Sequence, residues 1–176
     1  MRGGASTRSA LALAELCYRT LIEDGPAALR SVKLKVVTPS LERIVEANTL
    51  LSGLGFESSG LAAAHAIHNG LTAAPPTHAF FHGEKVAFGV IVQLVLEGAS
   101  QAQLAEVFRF STSVGLPITL AGIGCADLPG ELLQQVAARS TAPGETIHNE
   151  PFEVTAAMVA DAILAADAAG RHAIVT

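Results

Sequence analysis

The sequence has 176 residues, which is enough for one domain with a substantial core and too few for two full ones. It carries a formal net charge of −5 with scattered lysines and arginines, which argues against nucleic acid and anionic membrane as partners. Its two cysteines form no C-x-x-C pair, and this fits a reducing, cytoplasmic location. We therefore expect a single domain over residues 1–176.

The balance of apolar and charged residues is unusual for a small domain. Hydrophobic residues make up 50% of the chain and charged residues only 15%. A single core in a chain of this size cannot hide all of this apolar surface, so the remaining apolar surface should face another domain or subunit. We expect a homo-oligomer. The longest apolar stretch, residues 86–96, reaches about half of the ~20 residues that a membrane crossing needs.

In chain order, the first predicted helix covers about Ser9–Asp24 and ends at Gly25 and Pro26. The second begins with Thr38 as the N-cap and Pro39 in the first helical position. Gly53 and Gly55 are expected to end it. Its buried face is predicted to comprise Leu41, Ile44, Val45, Asn48 and Leu51.

The third predicted helix, about Glu57–Leu71, precedes a loop that two prolines interrupt. The fourth, Glu84–Glu97, is apolar on nearly all sides, which predicts a central position. A capping box at Ser100 opens the fifth, which ends near Ser113. Two more are expected at about 131–139 and 155–169, the last stopped by Gly170. No segment alternates like a strand, so we predict an all-α bundle of about seven helices without the parallel sheet of a dinucleotide site.

Four of the six histidines lie within residues 60–89. His65 and His68 are three residues apart and share one helix face, and His82 follows beyond the proline-containing loop. Two helices joined in this way can bring His65 and His82 to one zinc ion. Alternatively, His65 and His68 are hydrogen-bonded core residues and His82 caps the following helix. Spacing alone favours this alternative, because the common short zinc signatures are more tightly spaced.

One long segment resembles a known family. The stretch "LSGLGFESSGLAAAHAIHNGLTAAPPTHAFFHGEKVAFGVIVQLVLE" closely resembles the metal-binding segment of bacterial glycerol dehydrogenases, in the iron-containing alcohol dehydrogenase superfamily. The resemblance extends to "VGLPITLA" and "GETIHN" and covers essentially the whole chain. It implies an enzyme that oxidises glycerol to dihydroxyacetone with NAD. In that family an N-terminal α/β domain holds NAD, and an all-helical C-terminal domain binds zinc, with iron as a second candidate metal.

The resemblance also implies roles for particular residues. His65 and His82 correspond to two metal ligands, Phe56 to a residue of the substrate pocket, and His68 to a catalytic histidine facing the nicotinamide. The family's aspartate ligand and its NAD-binding domain lie upstream of the matching region. We therefore expect a truncated C-terminal domain with no NAD site, inactive without its missing N-terminal half. The alternative is a non-catalytic helical module that binds a metal or another protein.

Overall fold

A computed structural model describes residues 6–175, which form eight α-helices and contain no strand. This confirms the predicted all-α class. The chain divides into two compact units, one ending at Gly60 and the other beginning at Leu61. The helices are α1 (Arg8–Leu34), α2 (Pro39–Glu46), α3 (Ser52–Ser59), α4 (Ala63–Leu71), α5 (His82–Leu96), α6 (Gln101–Val114), α7 (Gly130–Ser140) and α8 (Ala156–Val175).

The predicted end of the first helix at Gly25 and Pro26 is wrong. Helix α1 continues through both residues for two further turns. Proline removes one backbone hydrogen bond, but α2 and α3 pack along α1 and this packing stabilises the continuous helix. Lys35, in the left-handed conformation, ends the helix instead. Arg43 of α2 also pairs with Asp24 of α1 through two short hydrogen bonds and lowers the pKa of that carboxyl to about 2.

The second predicted helix is longer than expected. A π-helical turn, Ala47–Leu51, joins α2 directly to α3, so Gly53 and Gly55 do not end the helix. The break comes at Gly60, whose φ of +78° suits glycine. Leu51 is buried as predicted and Ala47 is buried as well, whereas Val45 and Asn48, predicted to be buried, are exposed. The wide turn changes the phase of the helix from Ala47 onwards. Thr38 and Pro39 occupy the predicted capping positions.

The second unit is built around α5. This helix packs against α4, α6 and α8, and α7 packs against α4 and α8, which confirms the predicted central position of α5. The Ser100 capping box at the start of α6 is also present. The largest fully buried side chains of this unit include Phe88, Ile67, Leu71, Ile91, Ile163 and Val136.

The predicted end of the last helix at Gly170 is also wrong, because α8 continues through this residue. A Cβ atom at Gly170 would lie 1.9 Å from the carbonyl oxygen of Ile118. Glycine is therefore required here for close packing and not as a helix terminator. Among the described residues, no helix is both long enough and apolar enough to cross a membrane.

Candidate metal centre

The three histidines selected from the sequence meet in the second unit. His65 and His68 project from α4, and His82 is the first residue of α5. The ring centroids of His65 and His82 are 5.5 Å apart, and those of His68 and His82 are 4.2 Å apart with an edge-on geometry. His65 and His68 are half-buried, whereas His82 is exposed. His68 is also hydrogen-bonded to Asn69, as the alternative of hydrogen-bonded histidines expects, whereas Phe81 and not His82 is the N-cap residue of α5.

The crossing of α4 and α5 determines these distances. His82, Gly89 and Gln93 are spaced seven and four residues apart, so they lie on one face of α5, towards α4. A Cβ at Gly89 would be 2.4 Å from the Ala64 carbonyl oxygen. Gln93 accepts a hydrogen bond from the Ala64 N–H at 2.8 Å. Both contacts adjoin His65, so the backbone next to that histidine lies directly against α5.

The separation of His65 and His82 suits a shared metal ion. Two imidazoles on one tetrahedral zinc, with Zn–N bonds of about 2.0–2.1 Å, have ring centroids roughly 5 Å apart. Burial, with smaller contributions from His82 and His68, lowers the pKa of His65 below its usual range. The neutral imidazole is the form that binds a metal. His65 and His82 could therefore serve as two ligands of one metal ion. Residues 6–175 contain no group of three or more His, Cys, Asp or Glu side chains that could hold a metal ion.

His68 is held by a chain of polar side chains. The Asn69 amide nitrogen donates to Glu145 at 2.8 Å, so its oxygen faces His68 Nδ1 at 3.1 Å and can only accept. Nδ1 of His68 therefore carries the proton, and Nε2 is the acceptor when the ring is neutral. Burial is the largest cause that lowers the pKa of His68, and the Asn69 bond opposes it. Arg139 pairs with the other oxygen of Glu145.

Several contacts around the histidines were missed by sequence reasoning. Lys85 is buried and its amine donates to the Thr77 carbonyl at 3.3 Å, near His68. The roles of Asn69 and Glu145 also emerge only from the fold, because these residues are 76 positions apart. Their separation leaves no local pattern that could reveal the pairing. Phe56 lies in the first unit, on α3, and is 52% exposed.

Comparison with known proteins places this geometry in context. No protein-family model matches the chain. A glycerol dehydrogenase of Pseudomonas putida is 58% identical over 173 residues, covering 98% of this chain and 47% of that protein. The chain is homologous to glycerol dehydrogenases. It spans about half the length of the curated relatives it matches and corresponds to the helical C-terminal domain of the family.

Two further relatives bear on fold and substrate. The crystal structure of a probable glycerol dehydrogenase from Sinorhizobium meliloti 1021 superposes with a TM-score of 0.92 at 44% identity, covering 96% of this chain and 47% of that one. A glycolaldehyde reductase of Halobacterium salinarum is 55% identical over 170 residues, covering 97% of this chain and 47% of that protein. Proteins named for an alcohol and for an aldehyde thus share this domain.

Proposed function

We propose that these residues form the metal- and substrate-binding part of a zinc-dependent, NAD-linked glycerol dehydrogenase. The observation that carries the proposal is the pair His65 and His82. Their ring centroids are 5.5 Å apart, on two helices of a chain homologous to that family. Imidazole also suits iron, so iron is the second candidate metal. A bound zinc ion would act as a Lewis acid that makes a substrate hydroxyl more acidic.

The chain's own residues supply the surroundings of that chemistry. Burial lowers the pKa of His65, which favours the neutral imidazole that binds a metal through a ring nitrogen. His68 donates from Nδ1 to Asn69, which leaves Nε2 as the ring nitrogen that can accept a proton. We propose His68 as the catalytic histidine on this basis. Phe56, on α3 of the first unit, is proposed as a substrate-binding residue for glycerol or a similar polyol, as the resemblance implies.

The relative named glycolaldehyde reductase supports a second candidate activity, the reduction of an aldehyde. Glycolaldehyde and glycerol are both small hydroxylated compounds, and one site that binds a hydroxyl oxygen can also bind a carbonyl oxygen. We therefore propose that the full-length enzyme catalyses both alcohol oxidation and aldehyde reduction, which assays with each substrate would test. Oxidation of glycerol with NAD is the expected main activity, and reduction of glycolaldehyde with NADH is the alternative.

Metal analysis gives the direct test of the site. The 176-residue chain, purified and incubated with zinc, is expected to retain metal through His65 and His82 at partial occupancy, because the family's aspartate ligand would be replaced by water. The His65→Ala, His82→Ala double variant should lose that metal. His78→Ala is the matched control, since His78 is an exposed histidine of the intervening loop. Equal zinc content in the wild type and the double variant would show that the assignment is wrong.

The remaining features of the family are proposed for the complete enzyme. NAD binding is assigned to a separate α/β domain, because residues 6–175 form no parallel sheet. We also propose a homo-oligomer in the cytoplasm. Large apolar side chains exposed on the described residues support an assembly, among them Leu34, Val37, Phe81 and Ile174.

A further inference from the structure

Helix α4, which carries His65 and His68, begins without a local cap. Its N-cap residue is Ala62, which has no side-chain acceptor, whereas Thr7, Thr38 and Ser100 cap α1, α2 and α6. The first N–H groups of a helix have no partner within the helix and need acceptors from elsewhere. In a helix of nine residues the first turn is a large share of the whole.

Two distant side chains replace the missing cap. Glu150 accepts from the Ala63 N–H at 2.9 Å across 87 residues of sequence, and Gln93 accepts from the Ala64 N–H at 2.8 Å. Glu150 is only 5% exposed, and burial raises the pKa of its carboxyl. A buried carboxylate costs free energy unless its hydrogen bonds are made, so this contact strongly couples residue 150 to the start of α4.

The neighbours of Glu150 contact the two residues just before this helix and the helix itself near its end. Thr146 donates to the Ala62 carbonyl and Asn149 to the Leu61 carbonyl, both at 2.8 Å. Glu145 accepts from Asn69, which lies two residues before the end of α4. Residues 145–150, which we call the 145–150 clasp, therefore contact α4 at its beginning and near its end.

We propose that the 145–150 clasp is a positioning element for the histidine cluster, with Glu150 as its main contact. Because Ala63 and His65 belong to the same first turn, loss of the Glu150 bond allows that turn to fray and His65 to move relative to His82. The proposal rests on the proposed function only where metal affinity is measured. The positions of the imidazoles are a separate observable.

The test compares two buried carboxylates of the same unit. Glu150→Ala removes the acceptor for Ala63 N–H, and Glu150→Gln keeps an acceptor oxygen. Asp167→Ala is the matched control, because Asp167 is 3% exposed and accepts from the Leu120 N–H at 2.8 Å, in a contact separate from the histidine helix. Each variant of the 176-residue chain is titrated with Co²⁺, and the imidazole NMR signals are recorded without metal.

We expect Glu150→Ala to weaken Co²⁺ binding roughly tenfold, the lower end of what outer contacts of metal ligands contribute. The His65 signals should shift and broaden, while Glu150→Gln restores both properties and Asp167→Ala leaves them as in the wild type. Unchanged His65 signals in Glu150→Ala, or equal changes in Asp167→Ala, would overturn the proposal.

Two further outcomes are informative. A wild-type chain that binds no Co²⁺ would refute the metal-binding function, and the metal-free imidazole signals would still decide the positioning role. If Glu150→Ala does not fold, the decision passes to a Thr146→Val, Asn149→Ala double variant, which removes two other contacts of the clasp. Shifted His65 signals in that variant support the proposal, and signals identical to the wild type overturn it.

Discussion

Substitution of Gly89 by alanine tests the close crossing of α4 and α5. In an exposed helix this change stabilises a protein by about 1 kcal/mol, because alanine loses less backbone entropy on folding. At Gly89 the added Cβ would lie 2.4 Å from the Ala64 carbonyl oxygen, which is 1.0 Å less than the 3.4 Å of ordinary contact. Because the obstacle is backbone, a side-chain rotation cannot relieve it, and the two helices must separate.

Overpacking of this kind costs roughly 1–3 kcal/mol, occasionally more. We therefore expect Gly89→Ala to lower the free energy of unfolding by about 1–3 kcal/mol, reversing the sign that helix propensity alone would produce. The measurement is urea unfolding of the metal-free chain at pH 7, followed by far-UV circular dichroism. Equal slopes of the transitions would show that the change lies in stability.

Gly83→Ala is the matched control for this experiment. Gly83 lies in the same helix, and a Cβ there meets nothing within 4 Å. It should leave stability unchanged or raise it by up to about 1 kcal/mol. If Gly89→Ala is as stable as Gly83→Ala, the two helices are not in backbone contact at residue 89, and the reasoning about the crossing is refuted.

Three other predictions concern pH, activity and association. Folding lowers the pKa of His65 and His68, so just below pH 6.5 the unfolded chain binds more protons than the folded chain. The urea midpoint of the metal-free chain should therefore decrease as the pH is lowered through this range, and it should decrease less steeply in His65→Gln. Identical pH profiles for the two proteins would contradict this. A protein of these 176 residues alone should show no NAD-dependent glycerol oxidation, because residues 6–175 form no parallel sheet of the kind that positions NAD as a hydride acceptor. Turnover that persists after removal of host dehydrogenases would refute this. Sedimentation across concentrations should reveal a homo-oligomer, whereas a monomer at tens of micromolar would show that the apolar surface needs no partner.

Local signals in the sequence were reliable where a structure depends on neighbouring residues. Thr38 with Pro39 and Ser100 with Gln103 predicted helix starts correctly, because a cap needs only a side chain and the N–H groups next to it. The apolar character of α5 on nearly all sides likewise predicted its central place. The helical periodicity of the other segments, with no alternating segment, was sufficient for the all-α class.

Helix ends marked by glycine or proline were predicted wrongly where tertiary packing decided the outcome. Pro26 and Gly170 both lie inside helices, since α1 is supported along its length by α2 and α3, and Gly170 lets α8 approach the Ile118 carbonyl. A sequence shows that a residue lacks an N–H or a Cβ. It does not show whether another element lies against that position.

The sequence by itself determined which histidines are candidates for a shared site: His65 and His82 as proposed metal ligands, with His68 beside them, at spacings that permit them to meet. Only the tertiary structure decided that they do meet, because the distance depends on the crossing at Gly89. The side-chain hydrogen bonds to the backbone at the start of α4 and to Asn69 near its end come from Gln93 and from Glu145 to Glu150, far away in the chain. Hydrogen bonds of this kind follow no period and no local motif, so they exist only once the helices have packed.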